Sequence, residues 1–310
     1  MDYVAYMIPS MSSLYFRDLQ PRPMVRLFAR HGWEQLEISE CHAHDLLQEG
    51  HPERAGRAFR GFATDHGVSF VQGHLAVVWY AAADRSQGTT GYFSIAPLSD
   101  KERTRAMEAM QQWLELFAAL GIRYAVLHMG GAALKDAGWS DQAVFQRRTR
   151  SLSEIAGYAA QAGITVCLEN LCFPNCGVET LEEIVALIRG AHADNLAICL
   201  DTGHAVMAAQ DCERFVLDGG DLIRVLHLHD NVGMSDNHVL PYEQQGIPWA
   251  RVLAALNKIG YDGALNFEIP GRSWRPMPVR EARLDYARQV SEYMVAQVAG
   301  WNTRSSRSVS

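Results

Sequence analysis

The sequence predicts a single-domain α/β fold, a (β/α)8 TIM barrel, and three observations carry that prediction. Short apolar runs alternate with helical periods along the whole chain. Eight such units can be counted, and eight units of this size favour a closed barrel over an open doubly wound sheet. Several helical segments end in a glycine followed at once by an apolar residue, the punctuation of a helix that stops before a strand. The 310 residues suffice for one barrel with a large core. No G-x-G-x-x-G follows the first apolar run, which argues against a dinucleotide-binding sheet.

The expected strands are Val4–Ile8, Gln35–Ser39, Val68–Gly73, Tyr124–His128, Thr165–Glu169, Ala197–Asp201, Val225–His229 and Ala264–Glu268. Between them apolar residues recur at i, i+3, i+4 and i+7. That period places helices over Pro23–His31, Glu53–His66, Arg103–Phe117, Gln142–Ala162, Thr180–Ala191, Trp249–Ile259 and Val279–Val298. Gly32, Gly67, Gly121, Gly163 and Gly260 follow five of these helices, where a left-handed residue is expected. Tyr80–Ala96, rich in Gly, Ser and Thr, reads as a long loop standing beside the barrel's active face. Residues 1–300 are expected to form the barrel, and the Ser/Arg-rich Trp301–Ser310 a disordered or loosely attached tail.

Hydrophobic residues make up 48% and charged residues 20%, ordinary for a soluble globular protein. No uncharged apolar stretch reaches the ~18 residues of a membrane span. The N-terminus has an acid at position 2 and no basic start before an apolar run, so no signal peptide is expected. Of Cys41, Cys167, Cys172, Cys176, Cys199 and Cys212, only Cys172 and Cys176 form a close pair, too little for a zinc module. Reduced thiols in a cytoplasmic protein are the expectation. The net charge of −7 speaks against a duplex nucleic-acid partner. None of Lys101, Lys135 and Lys258 closes an apolar run, so a Schiff-base nucleophile is missing.

The strand ends are more informative. Strand three ends in Gly73-His74, strand four in Leu127-His128, strand five in Leu168-Glu169-Asn170. Strand six ends in Asp201-Thr202-Gly203-His204, strand seven in His227-Leu228-His229-Asp230, strand eight in Phe267-Glu268. In a barrel these ends converge on the mouth where active sites lie. One histidine there is most often a hydrogen-bonded structural group, and one carboxylate most often caps the next helix. Six acidic or imidazole groups in succession are different, because clustered buried carboxylates repel unless a cation neutralises them. Glu169, Asp201, His227 and Glu268 make a mixed oxygen and nitrogen shell suited to Mn2+, Mg2+, Co2+ or Zn2+. His229 points to the same side of an extended strand as His227, so it competes for the ligand role.

With CLEN (167–170), CLDTGH (199–204), HLHDNVGMSDNH (227–238) and ALNFE (264–268), the chain resembles the xylose-isomerase-like TIM barrels over roughly residues 3–295. That superfamily includes sugar-phosphate isomerase/epimerase proteins, tagatose 3-epimerase-like ketose epimerases and endonuclease IV. The resemblance implies that Glu169, Asp201, His227 and Glu268 are metal ligands and that His204 binds a substrate oxygen. It implies that Glu169 and Glu268 are also the catalytic acid/base pair. His227 is preferred over His229 because HLHDN aligns with the family's His-Leu-x-Asp-Asn. His74, His128, His204, Asp236 and His238 match positions that bind extra metals in endonuclease IV. In sugar-handling relatives the same neighbourhood grips hydroxyl groups, so His204, His74, His128, His238, Asp236 and His229 are expected to bind substrate. Three positions depart from the known branches. Gly233 stands where the ketose epimerases have arginine, and Asn175 where they have a second glutamate. The first strand, Ala5–Ser10, lacks the opening motif of the DNA-repair enzymes.

The resemblance thus implies proton abstraction next to a sugar carbonyl through a metal-stabilised enediolate, giving isomerisation or epimerisation. Mn2+ is the expected cofactor, ahead of Mg2+, Co2+ and Zn2+, with one ion per chain. The same enediolate can also lead to elimination, as in a lyase or deglycosidase acting on an oxidised sugar or glycoside. Two rivals remain: an endonuclease IV-like phosphodiesterase with two or three ions, and a non-enzymatic barrel that uses the pocket for binding. The expected partner is a small sugar or sugar derivative, with neither membrane nor nucleic acid, and self-association into a homo-oligomer is left open.

Overall fold

The computed structural model describes residues 7–173 and 176–305. Its barrel strands are β1 (Ile8–Ser12), β2 (Gln35–Ile38), β3 (Ser69–His74), β4 (Tyr124–Leu127), β5 (Thr165–Glu169), β6 (Leu196–Asp201), β7 (Ile223–His227) and β8 (Ala264–Phe267). All are parallel and hydrogen-bond in the order β8-β1-β2-β3-β4-β5-β6-β7. Closure comes just beyond β7, where Leu228 pairs with Phe267 and its N–H donates to the Asn266 carbonyl at 2.8 Å. The expected eight-stranded barrel is therefore the fold.

Alternation along the strands sorts side chains into two layers. Leu127, Leu168, Leu200 and Leu226 belong to the large apolar core shared with the outer helices. Val126, Cys167, Cys199 and Val225 form a separate small apolar cluster. Two residues further along the same sides stand His128, Glu169, Asp201 and His227. The interior thus changes from an apolar plug to polar groups within one step of the pleat, and the polar groups fall at the C-terminal ends.

Gly32, Gly67, Gly121, Gly163 and Gly260 all have φ between 68° and 84°, the left-handed turn expected of them. The seven anticipated helices are present, with boundaries shifted by a few residues. Glu40–Leu47, Ala132–Asp136, Thr202–Met207 and Cys212–Gly219 add short helices that lack a full apolar period. No helix among the described residues is long and apolar enough to cross a membrane. All six cysteines are free thiols.

Three expectations are corrected. The first strand begins at Ile8 rather than Val4, and residues 4–6 lie outside the described residues. The more apolar run misled because β1 tolerates polar residues facing partners: Ser10 Oγ donates to Asn266 Oδ1 at 2.9 Å. Tyr80–Ala96 is no plain loop, since Val78–Tyr80 and Thr89–Tyr92 pair as an antiparallel hairpin. The final helix, Met277–Ser305, continues through Trp301–Ser305, the first half of the expected tail. The other half, 306–310, lies outside the described residues.

Candidate active site

Glu169, Asp201 and His227 end β5, β6 and β7, and Glu268 directly follows β8. All four are buried, and one ligand atom from each lies within 4.8 Å of the others. The strand ends are tied together locally. Asn170 Nδ2 donates to the Asp201 carbonyl at 2.9 Å, and the Asp201 N–H donates to Asn170 Oδ1 at 2.7 Å. Asp201 also caps the helix Thr202–Met207, accepting from the His204 N–H at 2.7 Å. The capping bond and the expected ligand role therefore fall on one carboxylate. His229 Nε2 lies 2.9 and 3.0 Å from the two Asp201 oxygens. Its ring packs on Gly203, where a Cβ would come within 1.9 Å of His229 Cε1, so the glycine of Asp-Thr-Gly-His makes room for the histidine behind Asp201.

His227 is held from the other side. Its Nε2 is 2.7 Å from Glu37 Oε2, which also accepts from Gln72 Nε2 at 2.6 Å. Both supporting residues are fully interior. The Nε2–H must face Glu37, leaving Nδ1 for the cluster, where it stands 3.1 Å from Glu268 Oε2 and 3.3 Å from Glu169 Oε1. Nδ1 is buried and has no hydrogen-bond partner. A carboxylate–imidazole pair that presents an orphan nitrogen to three carboxylates is the arrangement a divalent cation requires, so the donor set fits a metal.

Histidines surround this corner. His74 Nε2 and His128 Nε2 lie 3.2 and 3.0 Å from Glu169 Oε2. His204 Nδ1 is 2.9 Å from the Asn170 carbonyl, and its Nε2, otherwise unpartnered, stands 3.5 Å from Asp236 Oδ2. His238 Nε2 is 3.1 Å from Asp236 Oδ1, and its Nδ1 is 2.8 Å from the Glu268 carbonyl. His238 takes a left-handed backbone, φ 45°, uncommon for a non-glycine residue and a place where local strain serves side-chain placement. Asp230, the aspartate of HLHD, anchors this loop by accepting from the N–H groups of Asn231 and Gln244.

Charge and burial oppose each other throughout. Burial alone would raise Glu169, but His227, His128 and His204 hold it well below the usual carboxylate range. Glu268 is likewise held low, chiefly by His227, against the effect of burial. Burial lowers the imidazoles, yet the neighbouring acids win: Glu169 lifts His74 to about 9, and Asp236 and Glu268 lift His238 to about 9. His227 is raised well above its ordinary value, burial being outweighed by the carboxylates of Glu268, Glu37 and Glu169. Cation binding at Nδ1 therefore competes with a proton on that nitrogen. Calorimetric metal titration in two buffers of different ionisation enthalpy is expected to show about one or more protons released per ion. Release of none would contradict ligation by His227 Nδ1.

A cavity of about 920 Å3 opens onto this cluster. Glu169, Glu268, His74, His128, His204, Asp236 and His238 line it. Asp201 and His227 lie beneath, at 0% exposure. All ten residues singled out in the sequence come together. One placement differs from expectation: His229 does not line the cavity, because its ring is committed to Asp201. Asn175 lies outside the described residues. The sequence reading missed Glu37, Gln72 and Asn170. A charge between Leu36 and Ile38 in an apolar strand was the available signal for Glu37.

Residues 25–294 match the family model described as xylose isomerase-like TIM barrel. The D-psicose 3-epimerase of Ruminiclostridium cellulolyticum is 28% identical over 125 residues, 40% of this chain and 41% of that enzyme. The match thus spans less than half the length of this curated relative. A crystal structure of D-psicose 3-epimerase with D-tagatose from Clostridium cellulolyticum H10 superposes with a TM-score of 0.76 at 19% identity, covering 93% of this chain and 99% of that one. A structure of IOLI protein with a bound zinc atom gives 0.70 at 18% identity, covering 94% and 98%.

Proposed function

Since the chain belongs to the xylose isomerase-like TIM barrel family, we propose that it is a divalent-metal-dependent sugar isomerase or epimerase that moves a proton next to a carbonyl. The observation that carries this reading is the orphan Nδ1 of His227, aimed between Glu169 and Glu268 with its other nitrogen fixed by Glu37. A bound divalent ion, Mn2+ foremost, supplies the charge that polarises the sugar carbonyl and acidifies the adjacent C–H.

The protein's own groups do the rest. Asp201 and His227 lie under the cavity floor and serve as ligands only. Glu169 and Glu268 both reach the cavity, so each can also take or return a proton. Glu268 turns Oε2 toward His227, while its Oε1 has no hydrogen-bond partner among the described residues and is the atom assigned to proton exchange. His74 and His128 hold Glu169 Oε2 in place. His204, Asp236 and His238 offer donors and acceptors for sugar hydroxyls.

One observation favours a second reading, a phosphodiesterase with several ions. His74–His128–Glu169 and His204–Asp236–His238 each also bring three donor atoms within 4.8 Å. The cavity weighs against it. Arg105 is the one lysine or arginine on its described lining, and that guanidinium lies over the Trp79 ring, 4.2 Å from the centroid, rather than awaiting a phosphate. Three carboxylates leave a net −1 with one divalent ion, adequate for a neutral sugar. Metal analysis is therefore expected to give one tightly bound ion per chain. His238→Ala is expected to lower turnover with that count unchanged. Two or more stoichiometric ions, one of them lost in His238→Ala, would favour the phosphodiesterase.

A further inference from the structure

Part of the cavity wall is the hairpin of Val78–Tyr80 and Thr89–Tyr92, which contributes Trp79, Thr90 and Tyr92 to the lining. Its strands are three and four residues long and the second is exposed throughout. A lone two-stranded hairpin of this kind is at best marginally stable in water, so its place depends on tethers. They lead to the helix Glu40–Leu47. The Tyr80 hydroxyl donates to Glu40 Oε1 at 3.2 Å. The Tyr80 ring centroid is 4.2 Å from that of His44, whose Nε2 donates to the Ala83 carbonyl at 3.3 Å. The fullest tether starts in the turn between the strands. Arg85 is the one lysine or arginine between Ala81 and Tyr92. Its Nε and Nη2 donate to the two carboxylate oxygens of Asp45, each at 2.7 Å. Nη2 also donates to the Leu19 carbonyl at 3.1 Å, and Nη1 to that of Arg17. The Arg85 and Asp45 side chains are 14% and 8% exposed, so water screens this bidentate pair far less than a surface one.

Resting on the reading of the site as a sugar isomerase or epimerase, we infer that Arg85 is a positioning residue for the substrate. Its fork on Asp45 and on two backbone carbonyls holds the hairpin to the barrel, and so keeps Trp79 and Tyr92 in the cavity wall. Arg85 is not itself part of the lining. The hairpin supplies none of Glu169, Asp201, His227 and Glu268, so releasing it weakens sugar binding and spares the ion and the proton path. Apparent affinity falls in proportion to the fraction of molecules that keep the wall in place. Lysine is a poor substitute, because one ammonium cannot span both carboxylate oxygens and two carbonyls.

The test uses the Mn2+-loaded protein with D-fructose and D-tagatose, reading kcat and KM separately from exchange of carbon-bound hydrogen with solvent deuterium. Metal content and the rate of chymotrypsin cleavage after Tyr80 and Tyr92 are measured on the same samples. Arg85→Ala and Asp45→Ala are each expected to raise KM by about tenfold or more, with kcat within about twofold and the metal count unchanged. Arg85→Lys should fall between them and the wild type. The double variant should be no worse than the worse single one, since both remove the same pair. Chymotrypsin should cut the hairpin faster in each. An unchanged KM in both single variants, or a loss of kcat or metal that matches the rise in KM, would overturn the inference. Exchange of neither sugar by the wild type would overturn the proton-transfer reading alone, and cleavage then decides the tether. Faster cutting in both single variants, with no further gain in the double, would uphold it; unchanged cutting would overturn it.

Discussion

Glu169→Gln and Glu268→Gln are each expected to cut turnover by about 10²–10⁴-fold with the barrel still folded. Glutamine keeps the volume and one ligand oxygen but cannot accept a proton from carbon. Both side chains are almost fully buried among imidazoles held at high pKa, so neutralising either removes the partner of a positive group. The fold is insulated because neither belongs to the apolar cores. Steady-state rates with a thermal melt of each variant check this. Wild-type turnover in either variant would remove that glutamate from the proton path.

The next largest effects are expected on the metal. Asp201→Asn and His227→Ala should lose the ion, since the first removes a ligand's negative charge and the second the buried nitrogen aimed at the carboxylates. His229→Ala should still load, because its nitrogen contacts Asp201 rather than the cluster. Its affinity should fall about 10–100-fold, as for groups that orient a ligand. Glu37→Gln should behave like His229→Ala, since it releases the His227 ring. Metal content after dialysis against graded chelator separates the classes. An empty site in His229→Ala with a full one in His227→Ala would reverse the assignment on β7.

The barrel was legible because its signals are local and repeated: an apolar run, a helical period, a left-handed glycine. The candidate ligands were legible for a related reason, since strands that stop on Glu, Asp or His place them at one mouth in any parallel barrel. What escaped depends on contacts between distant segments. Glu37 acquires meaning only when β2 brings it to His227, 190 positions away. β1 was misplaced because Ser10 is satisfied by Asn266, a partner 256 positions off. The hairpin's second strand, Thr89–Tyr92, is Thr-Thr-Gly-Tyr behind a Ser/Gly-containing turn, so its pairing with Val78–Tyr80 leaves little trace in composition. Asp201 carries both readings at once, since it caps the helix that follows it as well as standing in the expected ligand position.

The most direct measurement is incorporation of solvent deuterium into the carbon skeleton of a keto-sugar by the metal-loaded enzyme in heavy water. The account predicts incorporation next to the carbonyl, lost on chelation and restored by adding Mn2+. Cleavage of a simple phosphodiester or an abasic-site duplex, with no deuterium entering any keto-sugar, would contradict it.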